Sequence, residues 1–401
     1  MAQVVPAGRR GDGVLGVERV APEAWERIDD WEELIAESAA PSIFLTRDWI
    51  TAWWSNFGAG MDPCLLHITG NGRTLGIAPL YLERLRGPAR RLGLLGDRVV
   101  GSEYLGLAAR HGSEAEVARA AANWLAAEQP TWDLADLSGL RESDPAAREF
   151  EFVLRAGAAR VDEQHHSCSA VELPGDFEDY LAGLSSKFRR TYRQRTNKLL
   201  RSCEVRFLRT ESETELPVHL DALFRLHQAR WIRAGRPGVF ADPRMRSFYL
   251  DVSRRLLRSG RLRLWHLQAD GAIRASQFAF AYGGVLYSLQ EAYDDQFQVP
   301  GVGGLGVVLR GHVLRAAIEE RLGSYDFLGG VEDHKLRWGA LVHTVRRVRL
   351  ARRGVRGGAA WLATVGAGSV RGWVKSALPE PVLNALRGAR ADYHRRRGRR
   401  G

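Results

Sequence analysis

Hydrophobic and polar positions follow two different periods along the chain, and together they predict a mixed α/β protein. Apolar positions at helical spacing predict four helices in the first 160 residues: 21–38, 44–58, 114–127 and one ending near Gly157. Gly58 is the expected C-cap of the second helix. Two apolar stretches, 63–69 and 75–85, flank the turn residues Gly70-Asn71-Gly72 and predict a β-hairpin. A strand is predicted over residues 132–137.

The second half of the chain predicts helices first and an antiparallel meander afterwards. Ser185 or Ser186 is the expected N-cap of a helix that runs to about residue 201. A short strand and two long helices follow, at 203–208, about 214–234 and about 242–258. Glycine turns then separate three strands, at 261–268, 272–282 and 285–293. A helix over about 304–321 leads to a short strand at 325–328.

A glycine-rich loop, "QVPGVGGLG" at residues 298–306, fits two phosphate-binding patterns at once. One is the G-x-G-x-x-G of dinucleotide-binding folds, and the other is the Q-x-x-G-x-G with which GNAT acetyltransferases hold the pyrophosphate of coenzyme A. A Rossmann unit needs a strand that runs directly into the first glycine. Here the preceding strand ends at Tyr293, well before Gly301, and the strands before it form a meander. The order of elements therefore favours the coenzyme A pattern. Asp326 lies about 20 residues after Gly306, where a dinucleotide-binding fold has a ribose-binding acid, and we interpret this spacing as a coincidence. A glycine-rich turn that binds nothing is the remaining alternative.

Composition indicates an ordinary soluble protein. The 401 residues are 45% hydrophobic and 26% charged, which suggests two to three domains. The start of the chain has no apolar signal-peptide region, and no stretch has the apolar length of a membrane span. The three cysteines are far apart and odd in number, which favours a reducing cytoplasm over a disulfide framework.

The net charge of +11 is distributed unevenly, and this predicts three segments. Residues 1–165 carry 17 basic and 25 acidic side chains, 166–350 carry 29 and 20, and 351–401 carry 12 and 2. The boundaries define an N-terminal domain, a C-terminal domain that holds an anionic ligand, and a basic tail. The tail mixes tryptophans and arginines, as helices on anionic membranes do, but it is equally consistent with a short packed extension and a disordered end.

The chain resembles the CelD/BcsL-like GNAT acyltransferases, relatives of the FemABX peptidyltransferases, over about residues 14–350. The resemblance rests on the shared order of "PSIFLTRDWITAWWSNFG", "GIAPLYLERLRG", "YLAGLSSKFRRTYRQRTNKL", "LFRLHQARW", "PGVGGLGVVL" and "YDFLGGVEDHKLRWG". It implies an α/β fold of two GNAT-like (FemABX-type) domains in tandem, with mixed, mostly antiparallel sheets flanked by helices. It also implies an acyl donor, most simply acetyl-CoA, bound by the second domain. The implied acceptor is a cell-envelope or exopolysaccharide precursor or a small metabolite. Val299 departs from the family, which often has serine there.

The donor site is predicted at the glycine loop. Glycines let the backbone approach closely, and N–H groups at a helix N-terminus attract an anion. The predicted donor-binding residues are Gln298, Gly301, Val302, Gly303, Gly304, Leu305 and Gly306.

Proton transfer is predicted on the strand before this loop. Glu291 and Tyr293 would share a face of that strand, with Glu291 as base, directly or through water, and Tyr293 as acid toward the departing thiolate. The alternative is that Tyr293 packs in the core and that Glu291 pairs with an arginine.

Two further groups are predicted near the acceptor. Glu332, His334 and Lys335 follow the last core strand, and Lys335 is conspicuous because nearly every other cation is arginine. His227 and Arg230 lie three residues apart on one helix, where they could reach the acceptor cleft. Structural roles for Lys335 and His227 remain open.

Other patterns give weaker predictions. "HHSC" at residues 165–168 has metal-ligating residue types but no partner cluster elsewhere in the sequence, so no metal is expected. The helix at residues 187–201 carries seven cations that either are solvated or guide an anionic acceptor, tRNA or lipid. Two other functions stay open: an aminoacyl-tRNA-dependent transferase of the FemABX type, and a non-catalytic accessory protein of polysaccharide synthesis. The expected location is the cytoplasm, with possible attachment of the tail to the inner face of the membrane.

Overall fold

The computed structural model describes residues 15–85, 87–97, 100–127 and 132–366. Its α-helices are α1 Trp31–Ala36, α2 Arg47–Phe57, α3 Glu114–Ala127, α4 Pro145–Ala156, α5 Phe177–Gly183, α6 Ser186–Ser202, α7 Leu216–Arg233, α8 Pro243–Arg258, α9 Leu305–Glu319, α10 Asp333–Leu336 and α11 Val355–Trp361. Short 3-10 helices cover Pro22–Arg27, Ile43–Leu45 and Val239–Ala241. Within these ranges no helix is both long and apolar enough to cross a bilayer.

The strands are β1 Gly16–Val20, β2 Met61–Gly70, β3 Arg73–Arg84, β4 Arg90–Leu94, β5 Ala108–Ala109, β6 Leu134–Arg141, β7 Ala158–Glu172, β8 Val205–Arg209, β9 Leu262–Ala269, β10 Ala272–Tyr282, β11 Val285–Tyr293, β12 Ser324–Gly329 and β13 Leu341–Arg352. They form one mixed, mostly antiparallel sheet in the order β1-β2-β3-β4-β6-β13-β7-β12-β11-β10-β9-β8, with β5 beside β3. The predicted hairpin, the predicted meander and the helix with Ser185 as N-cap are all confirmed.

The two halves of the chain repeat one arrangement. In the first half, the antiparallel strands β2, β3 and β4 are followed by α3 and by β6, which is parallel to β4. In the second half, β9, β10 and β11 are followed by α9 and by β12, which is parallel to β11. The α/β fold of tandem GNAT-like units is therefore confirmed.

The last strand of each half pairs with the other half. Strand β7, at the end of the first repeat, pairs with β12, whereas β13, at the end of the second repeat, pairs with β6. The two exchanged strands also pair with each other along their length. The predicted boundary between residues 165 and 166 falls inside β7, and the division into domains stays a prediction.

A wedge opens between β11 and β12. The two strands pair only from Val285 to Tyr287 and from Ser324 to Asp326, although β11 continues to Tyr293 and β12 to Gly329. Beyond these pairs, the facing edges of the two strands are no longer joined by backbone hydrogen bonds. The wedge lies at the end of β11 that leads into the glycine loop.

One predicted helix is wrong. Residues 21–38 form a 3-10 turn and the separate helix α1, not one continuous helix. Trp25 and Trp31 are both buried and meet edge to face, with ring centroids 6.5 Å apart. In a continuous α-helix, residues six apart point in different directions. The break between them lets both indoles enter the same core.

Candidate functional site

The glycine loop turns sharply into helix α9. Gly301 and Gly303 adopt φ values of +78° and +70°, a region that residues with a side chain rarely enter. Between them, Val302 is buried, and its N–H donates to the carbonyl of Val299 at 3.0 Å. Val302 therefore anchors the turn. The sequence predicts its N–H as a phosphate donor, but in the structure this N–H is already used within the loop.

The N-terminus of α9 presents donors that the protein does not use. Gly304 is the N-cap and has no side chain to cap the helix. Within the described part of the chain, the N–H groups of Gly303, Gly304, Leu305 and Gly306 have no hydrogen-bond partner. Gly303 and Gly304 are exposed. Free N–H groups at the positive end of a 15-residue helix are features that attract an anion, and the predicted donor site at this loop stays a prediction.

Two cations from α6 lie against the same loop. A Cβ placed on Gly301 would be 2.9 Å from Lys198 Nζ, and one on Gly303 would be 3.2 Å from Arg195 Cζ. Neither cation forms an ion pair with the residues that the structure describes, although many of the described arginines do, Arg193, Arg310 and Arg347 among them. The loop thus combines free backbone donors with two unpaired positive charges.

The position of α6 depends on a glycine in α9. A Cβ on Gly311 would lie 2.3 Å from Tyr192 Cε2, so the Tyr192 ring packs directly on the α9 backbone. Trp338 supports Tyr192 from the other side, with ring centroids 5.5 Å apart. Three and six residues after Tyr192 come Arg195 and Lys198, which this crossing carries to the glycine loop. Sequence reasoning noted the basic helix but missed this contact.

Tyr293 lies where the wedge meets the start of α9. A Cβ on Gly306 would be 3.5 Å from Tyr293 Cδ1. The guanidinium of Arg230 lies over the Tyr293 ring, 4.9 Å from its centroid. The ring is half-buried, and its hydroxyl has no hydrogen-bond partner among the residues described. The predicted acid is therefore at the donor loop with its hydroxyl free.

Glu291 shares this face of β11 but is held by Arg310. Arg310 Nε donates to Glu291 Oε1 at 2.9 Å, and Arg310 Nη2 donates to the other carboxylate oxygen. Arg310 is 5% exposed, so Glu291 is the counter-ion of a buried cation. This is the arginine pairing that the sequence left open as an alternative. The role of Glu291 as a base stays a prediction.

Lys335 is buried and bound to the end of β12. Its ammonium donates to the carbonyls of Phe327, Gly329 and Gly330 at 3.3, 2.6 and 3.3 Å, and pairs with Glu332 at 3.1 Å. All of its hydrogen-bonding capacity is therefore used inside the protein. Lys335 thus holds the end of β12, which forms the side of the wedge opposite β11. Direct contact between Lys335 and an acceptor stays a prediction.

The two candidate histidines have different surroundings. His227 is buried between Phe240 and Trp231, with ring centroids 4.8 and 5.9 Å away, and burial lowers its pKa. None of these contacts belongs to the glycine loop. The surface of His334 is largely exposed, but its imidazole is partly desolvated, and this desolvation and the charge of Arg310 lower its pKa.

Gln298 is exposed and closes the loop on itself. Its Nε2 donates to the carbonyl of Asp295 at 3.0 Å. Asp295 in turn pairs with Arg233 of α7. The predicted donor-binding role of Gln298 is thus accompanied by a local structural one.

Comparison with protein families finds a match within the second half of the chain. Residues 186–336 match the family described as "Acetyltransferase (GNAT) domain". The matched range contains the basic helix, the meander, the glycine loop and Lys335. No curated protein sequence matches the chain.

Two solved structures share the fold over most of the chain. FemX is 10% identical with a TM-score of 0.59, covering 82% of this chain and 96% of FemX. A conserved protein of unknown function from Bacteroides thetaiotaomicron is 12% identical with a TM-score of 0.52, covering 84% of this chain and 99% of that protein. At these identities the likeness concerns the fold alone. Together with the family match, it assigns a GNAT-type acyl- or aminoacyl-transferase fold.

Proposed function

We propose that this chain is an acyl-CoA-dependent N- or O-acyltransferase, with acetyl-CoA as the simplest donor. The observation that carries the proposal is that Arg195 and Lys198 lie against the glycine loop, next to its free N–H groups. A pyrophosphate carries adjacent negative charges, which suit two cations on one side and a helix N-terminus on the other.

The wedge suits the rest of the donor. The pantetheine arm of coenzyme A is narrow, extended and carries two amides. The edge of β11 beyond Tyr287 offers backbone donors and acceptors that β12 does not pair, whereas Lys335 holds the carbonyls of Phe327 and Gly329 on the β12 side. An arm that lies in the wedge would bring its thioester alongside Tyr293.

Tyr293 is the proposed acid that protonates the leaving thiolate. The acceptor nitrogen or oxygen forms a bond to the acyl carbon, the carbon–sulfur bond breaks, and the phenol proton passes to sulfur. The acceptor proton goes to a base. His334 is the proposed base, because it follows β12 on α10 and its lowered pKa favours the neutral imidazole. Glu291 remains an alternative through water, although Arg310 occupies both its oxygens.

The acceptor class is proposed from the resemblance to CelD/BcsL-like proteins. It is a cell-envelope or exopolysaccharide precursor or a small metabolite, modified in the cytoplasm or at the inner face of the membrane. The basic tail that would contact anionic lipid lies mostly outside the described residues, in 367–401.

Calorimetric titration of acetyl-CoA and free CoA into the wild type and Gly303→Asp tests the proposal. Aspartate at residue 303 would meet Arg195 and place a carboxylate where the pyrophosphate binds. Gly283→Asp is the matched control, because Gly283 also has a positive φ, of +56°, and lies at the opposite end of β11. Binding by the wild type and the control but not by Gly303→Asp supports the proposal. Failure of the folded wild type to bind either ligand rejects it.

A second candidate is an aminoacyl-tRNA-dependent transferase. It is favoured by further cations on α6 that are exposed and unpaired among the described residues, namely Lys187, Arg190 and Arg201. Phosphate-backbone binding through such charges weakens steeply with salt. Salt-sensitive tRNA binding by a chain that does not bind CoA would favour this function. A chain that binds neither ligand would fit the non-catalytic accessory protein.

A further inference from the structure

A cluster of metal-ligating side chains lies where the two halves of the protein meet. His166 and Cys168 alternate along β7 and so share one face of the strand. Glu103 reaches them from the segment between β4 and β5. One donor atom from each of these residues lies within 4.8 Å of the other two. In the present arrangement, Glu103 Oε2 and His166 Nε2 are 2.8 Å apart and share a hydrogen bond.

The Glu103 carboxylate fits into this cluster because the neighbouring residue on β12 is a glycine. Gly329 of β12 pairs with Cys168, and a Cβ on Gly329 would be 3.0 Å from Glu103 Oε1. On the other side, His343 of β13 is the register partner of Cys168. Its Nε2 shares a hydrogen bond of 2.7 Å with the Tyr104 hydroxyl, so His343 packs beside the cluster and is not one of its ligands.

The cluster borders a cavity. Glu103 and His166 line a polar cavity of about 490 Å³, together with Ser102, Ser138 and Gln164. Cys168 lies behind them and is fully buried. Three protein donors with one side facing a cavity leave a fourth coordination position for water or a ligand.

We propose that Glu103, His166 and Cys168 bind one divalent transition-metal ion, with zinc as the ion that this donor set suits best. The ion would join the loop of the first half to the exchanged strand β7, and its open position would face the polar cavity. This site is separate from the glycine loop, and the inference holds whether or not the chain binds coenzyme A.

Cobalt(II) and zinc titrations of the full-length protein, purified free of metal, test the inference. Cobalt bound to Cys168 gives a thiolate-to-metal absorption band in the near ultraviolet and visible bands typical of four-coordinate cobalt. We expect these bands to saturate at about one equivalent and zinc to abolish them. A folded wild type without a thiolate band, or without zinc binding by calorimetry, overturns the inference.

Matched variants locate the ion. Cys168→Ser and His166→Gln should weaken zinc binding at least about tenfold, because each removes a direct ligand. Cys203→Ser and His165→Gln should bind like the wild type, since Cys203 lies elsewhere and His165, although it lines the same cavity, is not one of the three clustered ligands. Equal affinity in all four folded variants would overturn the assignment. If Cys168→Ser does not fold, the double variant Cys64→Ser with Cys203→Ser decides the question, because Cys168 is its one remaining cysteine and a thiolate band must come from it.

Discussion

The Tyr192 ring lies directly on the backbone of Gly311, where a Cβ would come within 2.3 Å of its Cε2 atom. This contact sets how closely α6 approaches α9. Because α6 continues from Tyr192 toward the start of α9, Arg195 reaches Gly303 and Lys198 reaches Gly301. A packing contact in the core thus determines the electrostatics of the glycine loop.

Gly311→Ala should therefore weaken both stability and donor binding. Alanine in mid-helix normally stabilises by about 0.5–1 kcal/mol, but overlap with Tyr192 should reverse this to a net loss of roughly 1–3 kcal/mol. Gly358→Ala in α11 is the control, because nothing lies within 4 Å of its added Cβ. Urea unfolding with CoA titration checks both effects. Equal stabilisation by the two changes would contradict the close packing.

Glu291→Gln distinguishes a structural role from a catalytic one. Glu291 is the counter-ion of the buried Arg310. Removing its charge should therefore lower the free energy of unfolding by about 1–3 kcal/mol. The double variant Glu291→Gln with Arg310→Met should recover much of this loss, because no unpaired buried charge remains. Denaturant unfolding of the single and double variants is the measurement. Unchanged stability with a large loss of turnover would instead identify Glu291 as the base.

Tyr293→Phe should slow acyl transfer without changing donor affinity. The phenyl ring keeps its contacts with Gly306 and Arg230, but it has no proton for the thiolate. Loss of a general acid typically costs about 10²–10⁴ in rate. Release of free CoA from acetyl-CoA can be followed with a thiol reagent, and Tyr282→Phe at the far end of β10 is the control. Equal rates for both variants would remove Tyr293 from the chemistry.

His266 should make the protein less stable in mild acid. Burial lowers its pKa from 6.5 to about 3, and its Nδ1 lies 2.8 Å from the Ser276 hydroxyl. Because this pKa is lower in the folded state, the unfolded state binds more protons below pH 6.5, and stability falls as pH falls. One such group accounts for about 1 kcal/mol between pH 7 and pH 5.5. Unfolding at both pH values should show a smaller pH effect in His266→Asn than in the wild type, and no such reduction in the exposed control His111→Asn.

The meander, the helices other than the one expected over residues 21–38, and the glycine loop were predictable because each follows from local pattern and turn residues. Ser185 caps α6 as expected, since its hydroxyl accepts from the N–H of Phe188. The wedge was not predictable, because its cause is a pairing between β11 and β12 that ends after three residues of each strand. The exchange of β7 and β13 is likewise a long-range pairing that leaves no local pattern.

The candidate site shows the same limit. Sequence identified the basic helix, but its seven cations gave no way to choose the two that face the loop. That choice depends on Gly311. Its lack of a side chain lets Tyr192 pack on α9, and this contact between distant residues leaves no pattern in the sequence. Similarly, the grouping of Glu103 with His166 and Cys168 could not be predicted, because Glu103 lies 63 residues before His166.

The central claim is that Arg195 and Lys198, together with the glycine loop, hold the pyrophosphate of an acyl-CoA. The most direct test compares CoA affinity in two double variants, Arg195→Gln with Lys198→Gln and Lys187→Gln with Arg190→Gln. Each removes one lysine and one arginine, three residues apart, from the same helix. The first should weaken CoA binding by roughly 10- to 100-fold, since each charge-assisted bond contributes about 1.5–3 kcal/mol before compensation. The second should change affinity less than about twofold. Equal affinities in the two folded variants would contradict the account.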